Sequence, residues 1–101
     1  MIVYNVTIKV EHEIAKEWIE WLEGGHAQAV VNTGMFSEYH FFELLEPADQ
    51  EGRTFVVQYF TDSEEKYQLY LDEFAPALRA EGEEKFKDKF IGFRSKLLKL
   101  S

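Results

Sequence analysis

From Ile2 to Val10 apolar and polar side chains alternate, with Ile2, Tyr4, Val6, Ile8 and Val10 on one face and Val3, Asn5, Thr7 and Lys9 on the other. A period of two belongs to an extended strand, whose successive side chains point to opposite sides. The first face is expected to carry helices, and Asn5 and Thr7 to point away from them. From Glu13 to Thr33 the period changes. At about 100° per residue, Ile14, Ala15, Trp18, Ile19, Trp21, Leu22, Gly25, His26 and Ala29 share one half of a helix, and Glu13, Lys16, Glu17, Glu20 and Glu23 the other. A stripe this wide predicts a helix lying on a sheet. The Gly24–Gly25 pair interrupts it and Val31 falls on the polar side, so a kink or loosening is expected there. Thr33-Gly34 reads as the stop, Gly34 being free to take a left-handed conformation.

Phe36 to Glu46 reads as a second strand with large apolar side chains on both faces, Tyr39, Phe41 and Leu45 on one and Phe36, Phe42 and Leu44 on the other. A strand of that kind has both faces covered. Residues 47–52 supply a polar connection of hairpin length, and Arg53 to Thr61 returns as a third strand in which Phe55, Val57 and Tyr59 alternate with Val56, Gln58 and Phe60. Asp62-Ser63 followed by two glutamates is a helix start. Tyr67, Tyr70, Leu71, Phe74 and Leu78 follow at helical spacing, Pro76 predicts a kink or a second helical segment near Ala75, and Gly82 stands as a weak point beyond it. Leu69 projects away from the stripe. The segment from Lys89 starts as a fourth strand at Phe90, while Ser95 to Leu100 suits strand or helix equally.

The order strand, helix, strand, strand, helix, strand is the split βαβ arrangement called ferredoxin-like, an α+β fold with two helices on one face of a four-stranded antiparallel sheet, here a single domain over residues 1–101. Its other face is bare. Apolar residues pointing there need a cover, and the simplest cover is the same face of a second copy, which closes a dimeric α/β barrel around an enclosed space. Composition agrees: nine Phe, five Tyr and two Trp are more than a monomer of 101 residues readily buries.

A formal charge of −8 repels phosphate backbones and anionic membranes, so neither nucleic acid nor membrane is an expected partner. With no cysteine there is no disulfide framework and no thiolate nucleophile, and a cytoplasmic location fits. No apolar run is long enough to span a bilayer, and no cleavable leader precedes the first strand. Metal chemistry has no motif, because His12, His26 and His40 are not spaced as ligand pairs, and no cofactor is expected. His26 is the candidate general base, its imidazole titrating near neutral pH. The commoner role of a histidine on an apolar flank is packing, with a hydrogen bond to a carbonyl. Asn5, Thr7, His40 and Gln58 are candidate ligand-binding residues, being polar groups on strand faces that would line the barrel. Otherwise they hydrogen-bond across the dimer interface. Arg79 and Arg94 suit capture of a carboxylate, although in so acidic a chain surface pairing with Glu or Asp is the expectation. Trp18, Trp21, Tyr67 and Tyr70 read as core.

The opening MIVYNVTIKV, the Trp-rich helix with His26 and the TGMF turn, the strand VVQYF and the run YLDEFAPALRAEGEEKFKDKFIGFRS resemble the bacterial domain-of-unknown-function family 4286 over the whole chain. The resemblance implies the dimeric α/β-barrel class, which includes antibiotic-biosynthesis and haem-degrading monooxygenases, muconolactone-isomerase-like enzymes and stress-response proteins. Haem-degrading barrels use an Asn near the first strand with a Trp and a His from the second half. Asn5 matches the first, and nothing after His40 matches the others. Three functions follow as expectations: a homodimer binding a small, largely apolar molecule between its two sheets; a cofactor-independent monooxygenase- or isomerase-like enzyme with His26 as base and Asn5 or Gln58 as orienting donors; and a purely structural dimerisation module with a filled interior.

Overall fold

A computed structural model describes all residues, 1–101. Its sheet is antiparallel throughout, in the order β2-β3-β1-β4, with β1 at Ile2–Glu11, β2 at Glu38–Leu44, β3 at Gly52–Thr61 and β4 at Phe90–Leu98. The expected ferredoxin-like order is present. Ser95–Leu98, ambiguous by periodicity, is strand, because β1 offers it a free edge: Ile2 pairs with Leu98 and Tyr4 with Lys96.

The pleat sorts the core. Tyr4, Val6 and Val10 of β1 and Phe55, Val57 and Tyr59 of β3 are buried on the helix side, where Trp18 stacks on Phe55 at 5.1 Å and reaches Phe41 at 6.0 Å. Tyr4 is the aromatic hub, within 5.5–6.1 Å of the rings of Tyr70, Phe36, Tyr59 and Tyr67. Phe36 corrects the sequence reading. It lies ahead of β2 instead of on its far face, so it escapes the alternation and turns into the core. Leu45 likewise lies beyond the strand and is exposed.

Both helical segments are broken. The first runs from a single 3₁₀ turn, His12–Ile14, through α1 (Ala15–Trp21) and a π turn (Leu22–His26) to α2 (Ala27–Val31). Gly25, at φ 162° and ψ −26°, leaves helical geometry where the glycine pair predicted a break. A π turn adds a residue and so shifts the phase of everything after it. Ala27 and Val30 are therefore the core positions in place of Gly25 and Ala29, and Val31 packs against the core instead of facing water. Gly34 ends the segment at φ 85°.

The second runs through α3 (Glu64–Leu69), a π turn (Tyr70–Phe74) and α4 (Ala75–Phe86). Ser63 caps α3, its hydroxyl accepting from the Lys66 amide at 3.1 Å, and Pro76 sits in the first turn of α4, where its missing amide hydrogen costs nothing. Gly82 is a packing notch, which revises its reading as a weak point. It is buried, and a Cβ there would lie 3.1 Å from the Trp21 ring. No helix is long and apolar enough to cross a membrane.

Two glycines predict opposite outcomes. At Gly52 a Cβ would collide with the Val10 carbonyl, so Gly52→Ala should lower unfolding stability by about 1–3 kcal/mol. Gly24 keeps helical geometry with open space around it, so Gly24→Ala should raise stability by about 0.5–1 kcal/mol. Urea midpoints of the two variants check both signs.

Candidate functional site

Two surfaces of the sheet offer themselves. On the face away from the helices the register lays side chains in rows across the strands. His40, Gln58, Asn5 and Ser95 form one row, and Phe42, Val56, Thr7 and Phe93 the next. Rows on either side bring Phe60, Val3 and Leu97, and Leu44 and Ile91. Phe42, Leu44, Ile91, Phe93 and Leu97 are 41–62% exposed, an unusual concentration for large apolar side chains. The structure thus brings together the sequence candidates Asn5, Thr7, Gln58 and His40. Gln58 donates to the Asn5 side chain at 3.2 Å and Asn5 to the Thr7 hydroxyl at 3.3 Å, while His40 lies 3.2 Å from a Glu38 carboxylate oxygen and 4.7 Å from the Phe60 ring.

His26 is not with them. It sits in the helix layer on the opposite side of the sheet, stacked on Trp21 at 4.1 Å. No single site can use His26 as base and Asn5 or Gln58 as orienting donors. The packed reading of His26 holds only in part. The side chain is 14% exposed, but Nδ1 has no hydrogen-bond partner, the nearest candidate being a Glu81 carboxylate oxygen 3.8 Å away, beyond hydrogen-bond distance. Burial draws its pKa down, opposed by the Glu81 charge, so the ring is neutral near pH 7.

Behind the sheet, between β1 and the two helical segments, is a cavity of about 50 Å³. Hydrocarbon forms most of its wall, with Trp18, Trp21, Leu22 and Leu78 among the contributors, and the polar groups are His26, Arg79, Arg94 and the hydroxyls of Tyr4, Tyr59 and Tyr70. Each π turn contributes to the wall, the first through Leu22 and His26 and the second through Tyr70. π turns frequently mark functional positions, because the extra residue re-aims a side chain. Arg79 donates through Nη2 to the Tyr4 hydroxyl at 2.8 Å, while its Nε is buried without a partner. Burial pushes the Tyr59 and Tyr70 hydroxyls far above the usual tyrosine range, so both stay protonated. Trp21 and His26 also border an outer groove flanked by Glu20, Gly24, Gly25 and Glu81, which makes the stacked pair the wall between groove and cavity.

Sequence reasoning missed this cavity because no local pattern predicts the fit of two bent helical segments on a sheet. One signal was present. Tyr4 is the only member of β1's apolar face with a polar tip, and a buried phenol needs a partner, here Arg79 from α4. The expected surface pairing of Arg79 and Arg94 does not occur, since neither lies within ion-pair distance of a carboxylate. No three His, Cys, Asp or Glu side chains gather into a metal site.

The family described as domain of unknown function (DUF4286) matches residues 1–100. No curated protein matches the sequence. Among solved structures, a dimeric ferredoxin-like protein from an uncultured marine organism superposes with a TM-score of 0.69 at 13% identity, over 100% of this chain and 96% of the other. The heme-degrader MhuD from Mycobacterium tuberculosis, solved with two hemes in its active site, gives 0.67 at 20% identity over 100% and 97%. SnoaB, a cofactor-independent oxygenase from Streptomyces nogalater, gives 0.63 at 11% identity over 99% and 94%. At these identities the likeness establishes the ferredoxin-like fold and nothing finer.

The buried imidazole predicts an acid-sensitive term in stability. Its folded pKa lies below the ordinary histidine value of about 6.5, so as pH falls through that value the unfolded chain takes up the proton first. The stability His26 contributes is whole above about pH 6.5 and declines as pH falls toward the lower folded value. The difference in unfolding free energy between wild type and His26→Gln should therefore shrink from pH 7 to pH 5. Urea unfolding at both pH values measures it, and an unchanged difference would mean His26 titrates alike in both states.

Proposed function

The chain belongs to the DUF4286 family, and we propose that it works as a homodimeric α/β barrel that binds a small, largely apolar molecule in the cavity behind each sheet. One observation carries the ligand: two residues that line the cavity, His26 and Arg79, each have a buried nitrogen, Nδ1 and Nε, to which no protein group is hydrogen-bonded. Each such atom costs about 1–3 kcal/mol if nothing bonds to it. An acceptor on a bound molecule would satisfy Arg79 Nε, and an acceptor or a donor, according to tautomer, His26 Nδ1. As it stands, 50 Å³ takes a few atoms or waters. A larger guest needs the helix layer to give, and that layer is interrupted on both sides of the cavity at Leu22–His26 and Tyr70–Phe74.

Dimerisation rests on the open face. Its exposed apolar rows flank a polar row, and the charged side chains in those rows are Glu38 and Lys9, the latter paired with Asp49 and Glu51 at the rim. A twofold copy laid on this face covers Phe42, Phe93 and Leu97 with their like. Asn5, Gln58 and His40 then fix the register of the pair, whether or not a second guest lies among them. A neighbour of the same fold is described as dimeric, which supports pairing.

A cofactor-independent oxygenase- or isomerase-like enzyme is the second reading, favoured by one feature. His26 is held neutral with Nδ1 unpartnered, which leaves a base available at the cavity wall. In that case Arg79 and the Tyr4 hydroxyl are the orienting groups, because Asn5 and Gln58 lie across the sheet.

Sedimentation at micromolar concentration should give twice the chain mass of 11.9 kDa, and Phe93→Asp should return it to the monomer value. A wild-type monomer refutes the pairing. For the cavity, xenon or benzene should shift the emission of Trp18 and Trp21 saturably and raise the melting temperature. A wall that neither probe perturbs refutes the ligand site.

A further inference from the structure

The charges of the cavity run against those of the chain. Nineteen acidic residues outnumber eleven basic ones, yet the cavity is lined by two arginines and by no Asp or Glu. Arg53 shows what an arginine normally finds in this protein. It grips the Glu43 carboxylate through two hydrogen bonds of 2.9 and 2.8 Å. Arg79 and Arg94 have no such partner. Arg79 holds only the Tyr4 hydroxyl, and its buried Nε faces nothing. Both arginines line the cavity, and both guanidinium charges act on the Tyr70 hydroxyl. Two like charges beside a mostly hydrocarbon space repel each other, and the arrangement lacks the anion that would reconcile them.

The form of that anion follows from the wall. A guanidinium presents paired N–H groups that match the two oxygens of a carboxylate. The same fork also matches phosphate, but the rest of the wall is apolar, which suits a singly charged head group carried on a hydrocarbon body better than a dianion. Arg94 is exposed while Arg79 is partly buried, so the positive charge extends from the surface inward and would draw an anion in head first.

Building on the cavity reading above, we propose that the resident ligand is a small carboxylic acid, bound as its anion with the carboxylate between Arg79 and Arg94 and its apolar body against Trp21, Leu22 and Leu78. Tyr4 orients Arg79 for this contact and is a positioning residue. The pairing accounts at once for the missing counter-ions, the orphan Nε and the hydrocarbon lining.

The intact protein is titrated with acetate, butyrate and benzoate, with the matching neutral amides and with inorganic phosphate, at constant ionic strength, following the emission of Trp18 and Trp21 at the cavity wall. At least one acid should saturate the signal about tenfold or more tighter than its amide. Arg94→Gln, at an exposed position where the fold is safe, should weaken that acid about tenfold, as should Arg79→Gln, with Arg79→Lys recovering part of the loss. An amide that binds as tightly as its acid, or an Arg94→Gln variant with wild-type affinity, overturns the carboxylate assignment and leaves the cavity reading standing. Phosphate binding tighter than every acid overturns it in favour of a phosphoryl ligand. If no acid, amide or apolar probe perturbs the tryptophans, the cavity reading falls and the carboxylate falls with it.

Discussion

The structure depends on the position of β1, hydrogen-bonded on both sides and therefore without freedom to rotate its side chains anywhere but in front of the sheet or behind it. Its alternation gives each direction a separate chemistry. Behind lie Tyr4, Val6, Ile8 and Val10, all buried, and in front lie Asn5, Thr7 and Lys9, all half-buried. A slip of one residue against β3 would exchange the two sets. Burying a Val or Ile is worth about 1.5–3 kcal/mol, so such a slip would cost several times the stability of any single contact. Register is fixed by this difference, and the register in turn aligns Gln58 with Asn5 and Arg94 with Val6.

What the helices do is less regular, and the irregularity makes the cavity. A continuous helix over Glu13–Thr33 would keep one stripe on the sheet and close the gap beside it. The π turn shifts the stripe instead, sending Ala27 and Val30 inward while His26 is left stacked on Trp21 at the cavity's edge. The second segment is shifted at Tyr70–Phe74, and α4 then carries Arg79 over Tyr4 and Gly82 under Trp21. Gly82 leaves room for the Trp21 ring, which a Cβ there would meet at 3.1 Å. The small residue in one segment admits the large one from the next, which lets the two bent segments approach without filling the space between them and β1.

Much of the fold was legible in the sequence because it rests on period and punctuation. The strand at Ile2–Val10, the cap at Ser63, the break at Gly24–Gly25 and the restart near Ala75 each have a local cause that a string of residues displays. Phe36 was misplaced, and Gly25 and Ala29 stood on the stripe where Ala27 and Val30 belong, because a regular projection cannot know where a strand begins or that a turn holds an extra residue. The open face was legible as a face, since Asn5, Thr7, His40 and Gln58 share it through period two alone. The cavity was not, because its polar wall is assembled from β1, the first π turn, β3, the second π turn, α4 and β4, scattered along the chain from Tyr4 to Arg94. Arg79 and Arg94 looked like two surface cations in an acidic chain. Their isolation from every carboxylate is a fact of three dimensions.

The sheet separates the two surfaces, and this separation decides how they relate. Pairing through the open face, as proposed, would cover Phe42, Phe93 and Leu97 and leave Arg94, on the other side of β4, where it is. A guest behind the sheet therefore does not compete with a partner in front. The two are nonetheless joined by one strand, since Tyr4 and Asn5 are consecutive, the first bonded to Arg79 behind and the second to Gln58 in front. A β-strand transmits displacement along its ladder poorly but holds its pleat stiffly, so both side chains are positioned by the same backbone.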